Sequence, residues 1–67
     1  MEYRVGDQLQ YKLINNFSYN QNPHRYVIFK IEKRKNCYWV RNLQNQEISQ
    51  QSKENLELYF TFQGHTR

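Results

Sequence analysis

The chain has 67 residues, which allows one small domain and a thin core, not two domains. Aromatic residues make up 16% of it, six of them tyrosine, and the apolar residues cluster in short runs, which argues against disorder despite a mean hydropathy of -1.12. A net charge of +4 and a pI of about 9.4 permit nucleic-acid or acidic-protein partners without demanding either, since six acidic residues are interspersed with ten basic ones.

A lone cysteine, Cys37, cannot form an internal disulfide, and a small secreted domain would normally carry paired cysteines; a reducing, cytoplasmic setting is therefore expected. Met1-Glu2-Tyr3-Arg4 has no apolar run, so no signal peptide is expected, and no stretch is apolar enough to suggest a membrane partner. Alanine is missing while Asn and Gln are abundant. That bias suggests an AT-rich genome such as that of a bacterium, phage or other mobile element.

Val5-Gly6-Asp7 reads as a tight turn into a strand: glycine tolerates positive φ and an Asp side chain can bond nearby backbone. Leu9, Tyr11 and Leu13 then alternate with Gln8, Gln10 and Lys12, the period of a half-buried strand. Residues 15–25 break every period, are rich in turn formers and hold the only proline, so a long first loop is expected, pinned to the body by Phe17 and Tyr19.

The spacing predicts a central strand over 26–33, with Val27, Phe29 and Ile31 on one face and Tyr26, Ile28, Lys30 and Glu32 on the other. Residues 33–36 form a polar turn, and 37–43 the second arm of a hairpin, with Tyr38 and Val40 on one face and Cys37, Trp39, Arg41 and Leu43 on the other. A turn over 42–46 leads to a short exposed strand over 47–51. Ser52 is positioned to N-cap a single helical turn. Leu56, Leu58, Phe60 and Phe62 then alternate with polar residues as a last strand, and 64–67 form a frayed tail.

Five short strands, a long early loop and a charged hairpin tip suggest an all-β fold, a five-stranded barrel. The opening Val5-Gly6-Asp7-Gln8-Leu9-Gln10-Tyr11-Lys12 resembles the V-G-D-x-V-x-Y start of small bacterial and phage SH3-like barrels and, more distantly, of Tudor and KOW modules. Tyr26-Val27-Ile28, Tyr38-Trp39-Val40 and the segment from Ser52 to Leu58 fall at matching intervals. The resemblance implies an SH3-like barrel and a habit of binding, with no particular ligand. Proline-peptide-binding SH3 domains carry a longer acidic loop and an A-L-Y-D-Y-type strand, and neither occurs here. One domain over 1–67, ordered from about residue 3 to residue 62, is expected.

Cys37, His24 and His65 are too few and too scattered for a structural zinc site, so no metal and no cofactor is expected. No spacing groups Cys37, a histidine and Asp7 as nucleophile, base and orienting acid, and a barrel this small lacks a deep cleft, so no catalytic residue is assigned and the chain is read as a non-enzyme. Trp39, Tyr11, Tyr26 and Tyr59 are aromatic enough for a cation cage, yet packing in or at the edge of the core is the better use of Trp39, Phe29 and Phe60.

Binding is the remaining role. The first expectation is a protein partner, an acidic one or a second copy, met by an aromatic and basic surface that includes Phe17, Tyr19, Arg25, Tyr26 and Trp39. An accessory factor of a phage or mobile element is the kind of protein this suggests. The alternative is DNA or RNA bound along the hairpin of residues 30–41. There Lys33, Arg34 and Lys35, with Lys30 before them and Arg41 across, can track a phosphate backbone while Tyr26, Tyr38 or Trp39 stack on bases.

Overall fold

The computed structural model describes residues 2–12 and 24–65. Its first feature is the Gly6 turn. Gly6 has φ of 96°, in the left-handed region where a Cβ is strained. Asp7 closes the turn: its backbone N–H donates to the Arg4 carbonyl at 3.0 Å, and its Oδ2 accepts from the Arg4 N–H at 2.8 Å. The other oxygen, Oδ1, lies 2.7 Å from Nδ1 of His65, so this carboxylate, 1% exposed, ties the start of the sheet to its last strand.

Strand β1 (Asp7–Tyr11) follows with Asp7 and Leu9 turned inward, as its alternation requires. Of the loop expected over 15–25, residues 15–23 with Phe17 and Tyr19 lie outside the described residues, as does Leu13, and Arg25 belongs instead to the strand that follows. Strand β2 (Arg25–Glu32) pairs antiparallel with β1 and with β3 (Cys37–Asn42). Between them a 3-10 turn, Lys33–Lys35, ends at Asn36 in the left-handed conformation with φ of 51°, which an Asn tolerates. Asn36 also ties this turn to the helix that begins at Lys53: its Nδ2 donates to Glu54 Oε1 at 2.9 Å and its Oδ1 accepts from the Lys53 N–H at 3.3 Å.

The expected faces of β2 need correction. The β2–β3 register runs Ile28↔Val40 and then Lys30↔Trp39, leaving Phe29 without a partner in a β-bulge. The extra residue shifts the alternation, so Ile28 and Ile31 both face the core while Phe29 and Lys30 both come out on the far side. Phe29, expected in the core, is half-buried on that outer face.

The 42–46 turn is organised by Asn42, only 4% exposed. Its Oδ1 accepts from the backbone N–H groups of Gln44 at 2.8 Å and Asn45 at 3.3 Å, and its Nδ2 lies 2.8 Å from His24 Nδ1. Asn42→Ala removes all three bonds and is expected to cost about 2 kcal/mol, with Asn42→Asp losing less because it keeps the acceptor. Thermal melts of the two variants check this; an alanine variant melting with the wild type would show that the backbone bonds alone hold the turn.

Strand β4 (Ile48–Gln51) pairs with β3, and helix α1 (Lys53–Tyr59) runs from there to β5 (Phe60–His65), which pairs with β1. The sheet order is β4-β3-β2-β1-β5, entirely antiparallel, with β4 and β5 at its edges. The fold is thus all-β, five-stranded and barrel-like.

Two C-terminal expectations are corrected. Leu56 to Tyr59 are helical, not strand, and β5 begins at Phe60. The Ser52 hydroxyl accepts from the Asn55 N–H at 3.1 Å, and the resulting helix seats Leu56 fully buried against the sheet. Gly64 and His65 belong to β5 and are not frayed, because His65 is anchored on Asp7.

The core comprises Leu9, Ile28, Val40 and Leu56, all fully buried, closed by Tyr3, Tyr38 and Phe60 and flanked by Tyr26 and Ile31. Tyr3 packs edge-on against Tyr38 at 5.8 Å. Burial, helped by the Glu57 carboxylate, raises the Tyr3 phenol above the ordinary value of 10.0. A raised acid favours its protonated form in the fold, so this contribution is intact below pH 10 and is lost as pH rises through the folded-state value. Tyr3→Phe is expected to flatten the alkaline fall in melting temperature, and an unchanged fall would show that Tyr3 plays no part in it.

Candidate binding surface

β3 alternates strictly: Tyr38 and Val40 point into the core, which places Trp39 and Arg41 on the outer face of the sheet. The bulge adds Phe29 and Lys30 to the same face. The four interlock. Phe29 and Trp39 meet edge to face with centroids 6.4 Å apart, Lys30 Nζ stands 5.3 Å from the Trp39 ring centroid, and the Arg41 guanidinium carbon is 5.4 Å from that of Phe29.

Glu32 fixes the indole. Trp39 Nε1 donates to Glu32 Oε1 at 3.0 Å, and this bond, with the Lys35 and Lys30 ammoniums nearby, holds the Glu32 carboxyl below the usual carboxylate value. Arg25 alternates with the inward Tyr26 and so lies on the outer side at the start of β2. A row across the sheet, Gln8↔Val27↔Arg41↔Ile48, extends the face to β4, where Ile48 is 54% exposed.

Charge is segregated toward this hairpin. Residues 25–42 carry six basic residues, Arg25, Lys30, Lys33, Arg34, Lys35 and Arg41, against the single carboxylate of Glu32; the rest of the chain carries four basic and five acidic residues. Lys33, Arg34 and Lys35 are all exposed at the hairpin tip. Lys33 is paired with Glu2 and Lys35 with Glu32, both at 3.8 Å. Ion pairs this exposed contribute little and are easily exchanged for another anion.

Of the residues expected to meet a partner, the fold gathers Arg25, Trp39 and Arg41 on the outer face and Lys33, Arg34 and Lys35 at its end. Tyr26 does not join them, since it packs edge-on against Phe60 at 5.1 Å on the core side. Phe17 and Tyr19 lie outside the described residues. Lys30, expected along the hairpin, joins this face, and Phe29 and Ile48 complete it without having been assigned to it from sequence.

The aromatic cage does not assemble. Tyr11 and Tyr59 stack at 6.5 Å beside β5, Tyr26 sits on Phe60, and Trp39 lies on the opposite face of the sheet. Cys37, His24 and His65 are likewise far apart in role: Cys37 Sγ donates to Gln50 Oε1, His24 meets Asn42 and His65 meets Asp7. No helix among the described residues is long and apolar enough to cross a membrane. No family model matches the chain, and neither do any curated protein or solved structure against which it was compared.

Proposed function

We propose that this protein is a non-catalytic nucleic-acid-binding module that holds its ligand on the outer face of the β2–β3 hairpin. One observation carries this reading: six of the ten basic residues lie on a hairpin with one carboxylate, and two of them stand directly on exposed-side aromatic rings. Cations alone make a solubilising turn; cations interleaved with aromatic rings match both halves of a nucleotide, phosphate and base.

The test is a titration with mixed-sequence DNA and RNA at two salt concentrations. Each phosphate neutralised contributes about 0.7–0.9 to the slope of log affinity against log salt. Three contacts to a single strand would therefore weaken binding about a hundredfold for a tenfold rise in salt. Absence of binding at both salts, or affinity indifferent to salt, would overturn the reading.

A protein partner is the second reading, and a separate surface favours it. Tyr11, Tyr59 and Phe62 are each more than a third exposed near the β1–β5 edge, with Leu58 at 62% on α1. Exposed apolar side chains at this density are a common mark of protein contact. Such an interface would be mainly apolar and weakly dependent on salt.

A further inference from the structure

We infer that the ligand of the outer face is an unpaired strand, single-stranded DNA or RNA, whose bases stack on Trp39 and Phe29 while Lys30 and Arg41 leave the ring faces for its phosphates. This rests on the nucleic-acid reading and narrows it. Duplex binding needs only cations in register with a backbone, and the hairpin tip already supplies them. What the tip does not explain is the aromatic pair. A five-stranded sheet whose outer face carries two rings 6.4 Å apart offers adjacent stacking positions, which only unstacked bases can occupy.

The local construction fits that use. Trp39 is held by its indole N–H on Glu32, and its ring is met by Phe29 and by the long Lys30 side chain, which can move aside. Phe29 is likewise covered by Arg41, another long side chain that can move aside without disturbing the backbone. Phe29 follows the inward Ile28 by ordinary alternation, and the β-bulge beside it brings Lys30 out on the same side instead of inward. Exchange of cation for base keeps the ring stacked and places the displaced charge beside a phosphate.

Trp39 is the only tryptophan in the chain, so its emission reports this face directly. The experiment titrates the full chain with an oligopyrimidine as single-stranded DNA, as single-stranded RNA and as a DNA duplex of equal length, following indole fluorescence and the anisotropy of labelled oligonucleotide. The expected result is quenching by both single strands and an affinity at least about tenfold above that for the duplex. Trp39→Ala is expected to weaken single-strand binding about tenfold or more, with Trp39→Phe retaining most of the single-strand affinity. Should Trp39→Ala fail to fold, the wild-type quenching and the phenylalanine variant still decide. Equal affinity for strand and duplex with unchanged emission would overturn the inference and leave nucleic-acid binding standing. No binding by any of the three would overturn both.

Discussion

Ile28→Ala is expected to destabilise the domain by about 3–4 kcal/mol, enough to leave much of it unfolded at physiological temperature. Ile28 is fully buried, directly opposite Val40 in the β2–β3 ladder, in a core that among the described residues holds four fully buried aliphatic side chains. A domain of 67 residues has total stability of about 3–10 kcal/mol, so one cavity removes a large fraction of it. The melting temperature should fall by more than about 12 °C. Phe29→Ala, one position along, is expected to cost only about 1 kcal/mol, because Phe29 is half-buried on the outer face and its loss opens no internal cavity. Thermal denaturation of the pair checks the bulge itself. If Phe29→Ala proved the more damaging, the register would be wrong and Phe29 would be in the core.

The second large effect is on binding. Lys30→Glu combined with Arg41→Glu is expected to reduce nucleic-acid affinity at low salt on the order of a hundredfold or more, since two phosphate contacts become two repulsions. The same variant should lower the salt slope by about 1.4, the share of two contacts on a single strand. Both side chains are exposed, so the fold should survive with a loss of about 1 kcal/mol from the two cation–ring contacts. Equilibrium titration beside circular dichroism separates the two consequences. Unchanged affinity in a folded double variant would remove the outer face from the function.

The strands were largely legible because their physics is local. Leu9 and Tyr11, and Tyr38 and Val40, alternate with polar or outward residues, and the Gly6-Asp7 turn and the 33–36 turn announce themselves by residue type. The site was legible only in part. Arg41 and Trp39 alternate cleanly with the inward residues of β3, so their shared face was legible, although Trp39 was expected in or at the edge of the core and lies on the outer face instead. The side taken by Phe29 was not: alternation sets it opposite Ile28, but which of these two apolar faces turns inward is decided only when β3 supplies Val40 opposite Ile28, and the bulge that carries Ile31 inward as well is a tertiary choice of the same kind. The start of β5 was misread for a related reason. Leu56-Glu57-Leu58-Tyr59-Phe60 satisfies a strand period, and only the Ser52 cap together with the core position waiting for Leu56 makes it helical up to Tyr59. The Asp7–His65 contact joins positions 58 residues apart and has no sequence signature at all.

The most direct test of the binding face is a two-dimensional NMR titration of isotope-labelled protein with a short single-stranded oligonucleotide. The result expected is the largest shifts at Phe29, Lys30, Arg41 and the Trp39 indole N–H, with the hairpin tip following and Tyr11, Tyr59 and Phe62 unmoved. Shifts confined to Tyr11, Tyr59 and Phe62, or no shifts at saturating ligand, would contradict the assignment of nucleic-acid binding to the outer face of the hairpin.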